Sequence, residues 1–230
     1  MDTKKKMSMF LMLAMYVGAV QAVEDNRPYS IQILTGDKLK ELMPFVTTQR
    51  VLAFSSYPYL YVGDFAQEME DFKSFADSKD SAIAVAYHGK TPVGLLTGCP
   101  LQYSWPDQID DFNKVGVDPQ ACYYVPEIIV LPEYRGKKLS PQLVIALESY
   151  AKNLGYEKIS LITESHDKHL MKPDNYKSLD SLWNHFKYQK TPLKLHLDWQ
   201  TYQPDGTVRE QKHRVNFWVK KLGIKQSKER

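Results

Sequence analysis

The 230-residue sequence predicts an α/β domain built on one mixed sheet with helices on both faces. Three observations carry this expectation. Short apolar runs of strand length are interleaved with segments whose apolar residues recur every three to four positions. Those segments run strand, two helices, three strands, helix, strand, helix and two strands. The chain is 43% apolar, with 30 Lys plus Arg against 27 Asp plus Glu, which suits one domain with a sizeable core.

Ahead of the first strand, Lys4, Lys5 and Lys6 precede the apolar run Met7 to Val20, and Val20, Gln21 and Ala22 supply small residues at the third-last and last positions. This layout predicts a secretory signal over residues 1–22, cleaved after Ala22, and export to a periplasmic or extracellular location. The alternatives are an uncleaved helix or a start at Met7 or Met9 in a cytoplasmic protein. The run is shorter than the roughly 20 residues a spanning helix needs, and no later segment could span a membrane, so no stable span is expected after cleavage.

A single domain is expected from 29 to 222, followed by a basic tail at 223–230. Tyr29 to Leu34 reads as a strand, and Asp37 is placed as N-cap of a helix beginning Lys38, Leu39, Leu42. A second helix is expected from Ala66 to Ala76. Ser81 to Tyr87 and Pro92 to Cys99 read as strands of a hairpin turned by His88, Gly89 and Lys90. Pro100 to about Ala121 reads as irregular, and Tyr123 to Leu131 as a strand. Leu143, Leu147, Ala151 and Leu154 mark a helix opened by Ser140 and Pro141 and closed by Gly155. Lys158 to Thr163 is a strand, and Leu179, Leu182, Trp183 and Phe186 share one helix face. Leu193, Leu195, Leu197 and Trp199 alternate with polar residues, and Pro204, Asp205 and Gly206 turn the chain into a last strand bearing Val215, Phe217 and Val219.

Charge and composition exclude several function classes. The formal net charge is +3, of which residues 1–22 carry +2, so no basic block outside the two ends points to nucleic acid. Two cysteines, Cys99 and Cys122, are too few for a disulfide framework or a thiolate metal cluster. His166, Asp167 and His169 sit in an expected loop with no further ligand at helical spacing, and no metal is assigned. Ser55 and Ser56 lack the glycine elbow of a serine hydrolase.

Chemistry concentrates in PEYRGKKLS, a basic loop between the strand ending at Leu131 and the helix near Pro141. A helix N-terminus offers unpaired N–H groups and the positive end of its dipole to a pyrophosphate, and Arg135, Lys137 and Lys138 add charge. The glycines of a P-loop or dinucleotide fingerprint are missing, which sets nucleotide hydrolysis and nicotinamide chemistry aside.

EIIVLPEYRGKKLS, the amphipathic helix after it, Gly155, Tyr156 and KISLIT together resemble the acetyl-CoA-binding core of the GNAT N-acetyltransferase superfamily. YPYLYVGD at 57–64, PDNYKSLDSLW at 173–183 and VNFWVKKL at 215–222 extend the resemblance to an uncharacterised branch of that superfamily. It implies the GNAT fold and an acyl-CoA-dependent N-acetyltransferase, with acetyl-CoA as cosubstrate and an amine of a small molecule or protein as acceptor. The competing reading is a GNAT-fold binding protein that has lost turnover.

The resemblance also implies site residues. The family's pyrophosphate pattern, Arg or Gln, two residues, Gly, one residue, Gly or Ala, maps onto Arg135, Lys138 and Ser140, so two of its three positions depart. Coenzyme binding is thereby expected of Arg135, Gly136, Lys137, Lys138, Leu139 and Ser140, with the pantetheine arm on the backbone of Ile129, Val130 and Leu131. Pro126 inside an apolar strand fits the bulge that splays this strand from the next. Glu127 matches a glutamate that many members keep and is cast as general base, or else as a structural carboxylate paired with a base. Where the family often has an acidic tyrosine stands Trp183, leaving Tyr176 and Tyr188 as candidate acids. Tyr57, Tyr59 and Tyr61 are read as a lid over the acceptor or as core. In the implied sheet the strands ending at Cys99 and opening at Cys122 pair antiparallel, so these cysteines form a disulfide or remain two half-buried thiols.

Overall fold

The computed structural model describes residues 27–164 and 171–223. The leader at 1–22, most of the basic tail and the His166, Asp167, His169 group lie outside the described residues. Strands β1 (Tyr29–Thr35), β2 (Ala82–His88) and β3 (Thr91–Pro100) form an antiparallel meander. β4 (Cys122–Val125) and β5 (Ile128–Val130) both pair with β3, and β6 (Lys158–Glu164), β8 (Val208–Lys221) and β7 (Gln189–Tyr202) complete the order β1-β2-β3-β4-β6-β8-β7. β4 and β6 run parallel and every other pair is antiparallel. The expected mixed sheet is thus present.

Helices cover both faces. Helix α6 (Leu139–Asn153) buries Leu139, Leu143, Val144, Leu147 and Ala151 against one face, continuing the core formed by Tyr123, Ile159 and Leu161. On the other face, α1 (Asp37–Glu41), α2 (Met43–Phe54) and α3 (Phe65–Asp77) pack Leu39, Val46 and Phe72 against Ile83, Val85 and Leu95. Asp64 caps α3 by accepting from Gln67 N at 2.9 Å, which explains the aspartate closing YPYLYVGD.

Four local expectations need correction. Asp37 lies inside α1, and the preceding Gly36 takes the left-handed φ of 58° that turns the chain out of β1. The single helix expected after β1 is two, broken at Leu42, with Pro44 accommodated at the start of α2 where its missing N–H has no intrahelical partner to lose. The supposedly irregular stretch 100–121 holds two short helices, α4 (Leu101–Ser104) and α5 (Ile109–Lys114), because Leu101, Trp105 and Phe112 insert into a core around Tyr124 and Phe217. Ser140 and Pro141 stand inside the first turn of α6 rather than before it: the helix starts at Leu139, with Lys138 preceding it in the left-handed region at φ 58° and making no side-chain cap bond.

Pro126 does break the strand. Three steps along β3, from Leu96 to Cys99, are matched by four from Ile128 back to Tyr124, a bulge of one residue at Pro126–Glu127. β4 pairs with β6 only from Cys122↔Lys158 to Val125↔Leu161, so beyond Leu161 the two strands part. The same register disposes of the disulfide. Cys99 stands opposite Tyr124, two positions from Cys122, and both thiols are free and buried. Cys99 lies 3.0 Å from Ser104 Oγ and Cys122 donates toward Ser160 Oγ, while burial pushes the thiols up to about 11 and about 12.

Candidate active site

Where β5 and the end of β6 part, the sheet opens into a groove of about 330 Å³. Its walls are the Val125–Val130 backbone, Leu161–Glu164 and the segment from Tyr176 to Trp183, which includes most of α7 (Asp180–His185), and Arg135 and Ser140 stand at its mouth. β3 takes one edge of β5, and the other edge pairs with no strand among the described residues. Thr97 N donates to Glu127 O and Leu131 N to Val93 O, so 127, 129 and 131 face β3, and the main-chain groups of Ile128 and Val130 are those turned to the open edge, where the Arg135 guanidinium donates to Val130 O at 3.1 Å.

The structure divides the loop residues expected to hold a coenzyme. Gly136, Lys137 and Lys138 are exposed beside the α6 N-terminus, whereas the Leu139 side chain is 2% exposed in the core and can offer only its backbone. Leu131 gives its N–H to Val93 O at 3.0 Å and does not line the groove. Lys138 adopts at φ 58° the conformation that a glycine holds most easily, which accounts for a glycine in the family pattern at this position. Lys138→Gly is expected to raise stability by up to about 1 kcal/mol through relief of that conformation, read from the denaturant midpoint at constant slope. A lower midpoint would show that the lysine side chain stabilises the loop.

A second cavity of about 260 Å³ lies across the sheet, between α2, α3 and the β7–β8 hairpin. Tyr59, Tyr61 and Trp199 supply aromatic walls, and Glu68, Asp71, Glu127 and Glu164 supply carboxylates. Segment 60–62 is strapped onto β7: Tyr61 bridges Thr201, Val62 N donates to Gln200 O at 2.9 Å, and Tyr202 N donates to Leu60 O at 2.8 Å. Burial and then Glu68 push the Tyr61 phenol up to about 12. Of the three tyrosines read as a lid, Tyr59 and Tyr61 line this cavity, whereas Tyr57 packs edge-on against Tyr176 at 4.7 Å.

The two cavities share Phe54, Tyr59, Pro126, Glu127, Ile162 and Glu164, so two carboxylates stand at their junction. They are not equivalent. Glu127, 7% exposed, pairs with Arg50 Nη1, whose Nε pairs with Glu68, 2% exposed. The partner base foreseen in the alternative reading of Glu127 is therefore Arg50. Protonating Glu127 would break a buried ion pair, which opposes its use as a base. Glu164 instead receives His213 Nδ1 at 2.6 Å, and burial pushes its carboxyl up to about 8.

The candidate acids separate as well. Tyr176 lines the groove, with its phenol raised chiefly by burial. Tyr188 is 2% exposed, packs against Trp183 at 5.4 Å and lines neither cavity, so it cannot reach a leaving group there. Burial raises its phenol well beyond the usual tyrosine range. Trp183 does line the groove, and its buried indole N–H meets no acceptor among the described residues. With the cationic mouth and the open edge of β5, this orphaned donor fits an extended, anionic, amide-bearing ligand such as coenzyme A. No cluster of three metal-ligating side chains occurs among the described residues, and no helix there is long and apolar enough to cross a membrane.

Residues 50–172 match the family model described as the acetyltransferase (GNAT) family. The fold superposes on an N-acetyltransferase from Staphylococcus aureus Mu50 with a TM-score of 0.54 at 16% identity, over 85% of this chain and 99% of that one. A Drosophila melanogaster polyamine N-acetyltransferase gives 0.54 at 15% identity over 84% and 100% of the two chains. A Salmonella typhimurium protein solved with its cofactor acetyl-CoA gives 0.53 at 12% identity over 87% and 98%. No curated protein matches in sequence.

Proposed function

The chain belongs to the GNAT acetyltransferase family, and from that premise we propose that it transfers an acetyl group from acetyl-CoA to a primary amine of a small molecule or protein. The observation that carries this reading is the meeting of two cavities at one break in the sheet. One cavity has a cationic mouth and an unpaired strand edge; the other has aromatic walls and carboxylates suited to an amine arriving as ammonium. When bound, acetyl-CoA would supply the activated acetyl group. Arg135, Lys137, Lys138 and the α6 N-terminus would hold its phosphates, and the β5 backbone would orient its arm.

Calorimetric titration with acetyl-CoA tests the first half of this reading, and binding by neither acetyl-CoA nor free coenzyme A would overturn it. Arg135→Ala combined with Lys138→Ala is expected to weaken binding by about 2 kcal/mol, roughly thirtyfold. Equal affinity would remove the loop from the coenzyme site. Trp183 in place of a tyrosine, with Tyr188 buried, favours a second reading, a binding protein without turnover. Coenzyme binding with no acetylation of any amine would select it. A coenzyme thiolate of ordinary pKa, about 8.5, can depart without an acid, so the tryptophan alone does not require that outcome.

A further inference from the structure

We propose that Glu164, positioned by His213 and Thr201, takes the proton that the acceptor ammonium must lose, while Glu127 serves to anchor the acceptor wall through Arg50; this rests on the acetyl-transfer reading above. Glu164 ends β6 where that strand leaves β4, and its side chain, 6% exposed, borders both cavities. A group in that place meets the amine and the thioester at once.

The second carboxylate at the junction, Glu127, is committed to Arg50. Glu164 instead meets the ring of His213, which is held from its far side by Thr201. Thr201 Oγ lies 2.8 Å from His213 Nε2 and 3.2 Å from Trp199 O, and its single hydrogen goes to one of them; when it is donated to Nε2, the ring hydrogen sits on Nδ1 and is donated to Glu164 Oε1. Trp199 stacks on the imidazole at 3.5 Å with 4° between planes, which fixes the ring's orientation. Carboxylate, oriented imidazole and hydroxyl form an ordered chain in which the carboxylate is the end bordering the cavities. Burial raises the Glu164 carboxyl toward the pH at which a base works best; among the described residues Tyr59, Tyr176 and His213 face it, and the Glu127–Arg50 pair borders the same junction.

The proton inventory closes. The ammonium gives one proton to the Glu164 carboxylate, and the freed nitrogen lone pair forms the N–C bond to the thioester carbonyl carbon. The C–S bond breaks with its electrons on sulfur, and the second proton leaving nitrogen ends on that sulfur, giving an amide and a free thiol. Glu164 then returns its proton to solvent.

An isosteric pair of acceptors tests the assignment. Ethylamine is an ammonium ion at neutral pH, whereas 2,2,2-trifluoroethylamine is already mainly a free amine and has no such proton to lose. Glu164→Gln is expected to lower ethylamine acetylation about 10²-fold and trifluoroethylamine acetylation less than tenfold, with acetyl-CoA affinity by calorimetry unchanged. Thr201→Val, a milder change, is expected to show the same selectivity at smaller amplitude. A readout independent of turnover is the carbon-13 carboxyl resonance that Glu164→Gln removes: in the coenzyme-free protein it should titrate in the neutral range. Equal losses on both amines, or a Glu164 resonance titrating in the ordinary carboxylate range, would overturn the assignment while leaving acetyl transfer intact. Wild-type protein that binds acetyl-CoA but acetylates neither amine would overturn both.

Discussion

Replacing Arg50 by alanine is expected to lower stability by about 3 kcal/mol at neutral pH, and the reason lies in what it abandons. One guanidinium, with a side chain 25% exposed, serves two carboxylates whose side chains are 2% and 3% exposed. Its removal leaves Glu68 and Glu127 buried without a cation, and the cost is the desolvation of those charges more than the value of the pairs. Adding Glu68→Gln and Glu127→Gln should therefore recover most of the loss. Urea denaturation of the single and triple variants measures both numbers; a loss below 1 kcal/mol, or no recovery, would mean that water reaches these carboxylates.

Gly98→Ala should be nearly as damaging, by about 3 kcal/mol, at the upper end of overpacking. A Cβ there would stand 2.4 Å from Tyr123 Cε1 and 2.9 Å from Leu147 Cδ2. Neither neighbour can move freely. The Tyr123 ring is fully buried and its hydroxyl lies 2.8 Å from the carbonyls of both Asp80 and Gly98, while Leu147 is fully buried on α6. A thermal midpoint within 2 °C of wild type would show that the sheet shifts to make room.

Much of this architecture is readable along the chain because its signals are local. The apolar spacing of Leu143, Leu147 and Ala151, the hairpin turn at His88–Lys90 and the proline inside an apolar strand each act within a few residues, and each has its counterpart in the fold. The site is legible only where its residues share a segment. Glu127 stands out as a carboxylate in an apolar strand, yet Arg50 is 77 positions away and nothing near it announces the pairing. Glu164 carries the same mark as Glu127, a carboxylate ending KISLITE, but its partner His213 lies 49 positions on, in a different strand, with no local sign of the pairing. The choice between a Cys99–Cys122 bridge and two thiols is open in the sequence for a related reason: strand pairing follows from topology, but register depends on where the Pro126 bulge falls, and a two-position offset separates bridged from free thiols.

The β7–β8 hairpin reaches past the sheet that supports it. β8 pairs with β6 only through Val215–Lys221, so Trp199, Thr201 and His213 ride on a hairpin arm beyond that seam, bordered on its β7 edge by segment 60–62. Insertions at the turn between Tyr202 and Val208 lie beyond these three residues and away from the groove beside β5, whereas one residue added between His213 and Val215 would swing His213 to the opposite face. The arm forms one wall of the second cavity, and segment 59–62 fastens it from the other side through the Tyr61–Thr201 bridge and the bond from Trp199 Nε1 to Tyr59 O at 3.0 Å. Length changes at the tip thus fall outside that wall, whereas the register from His213 to Val215 sets which residues face the cavity.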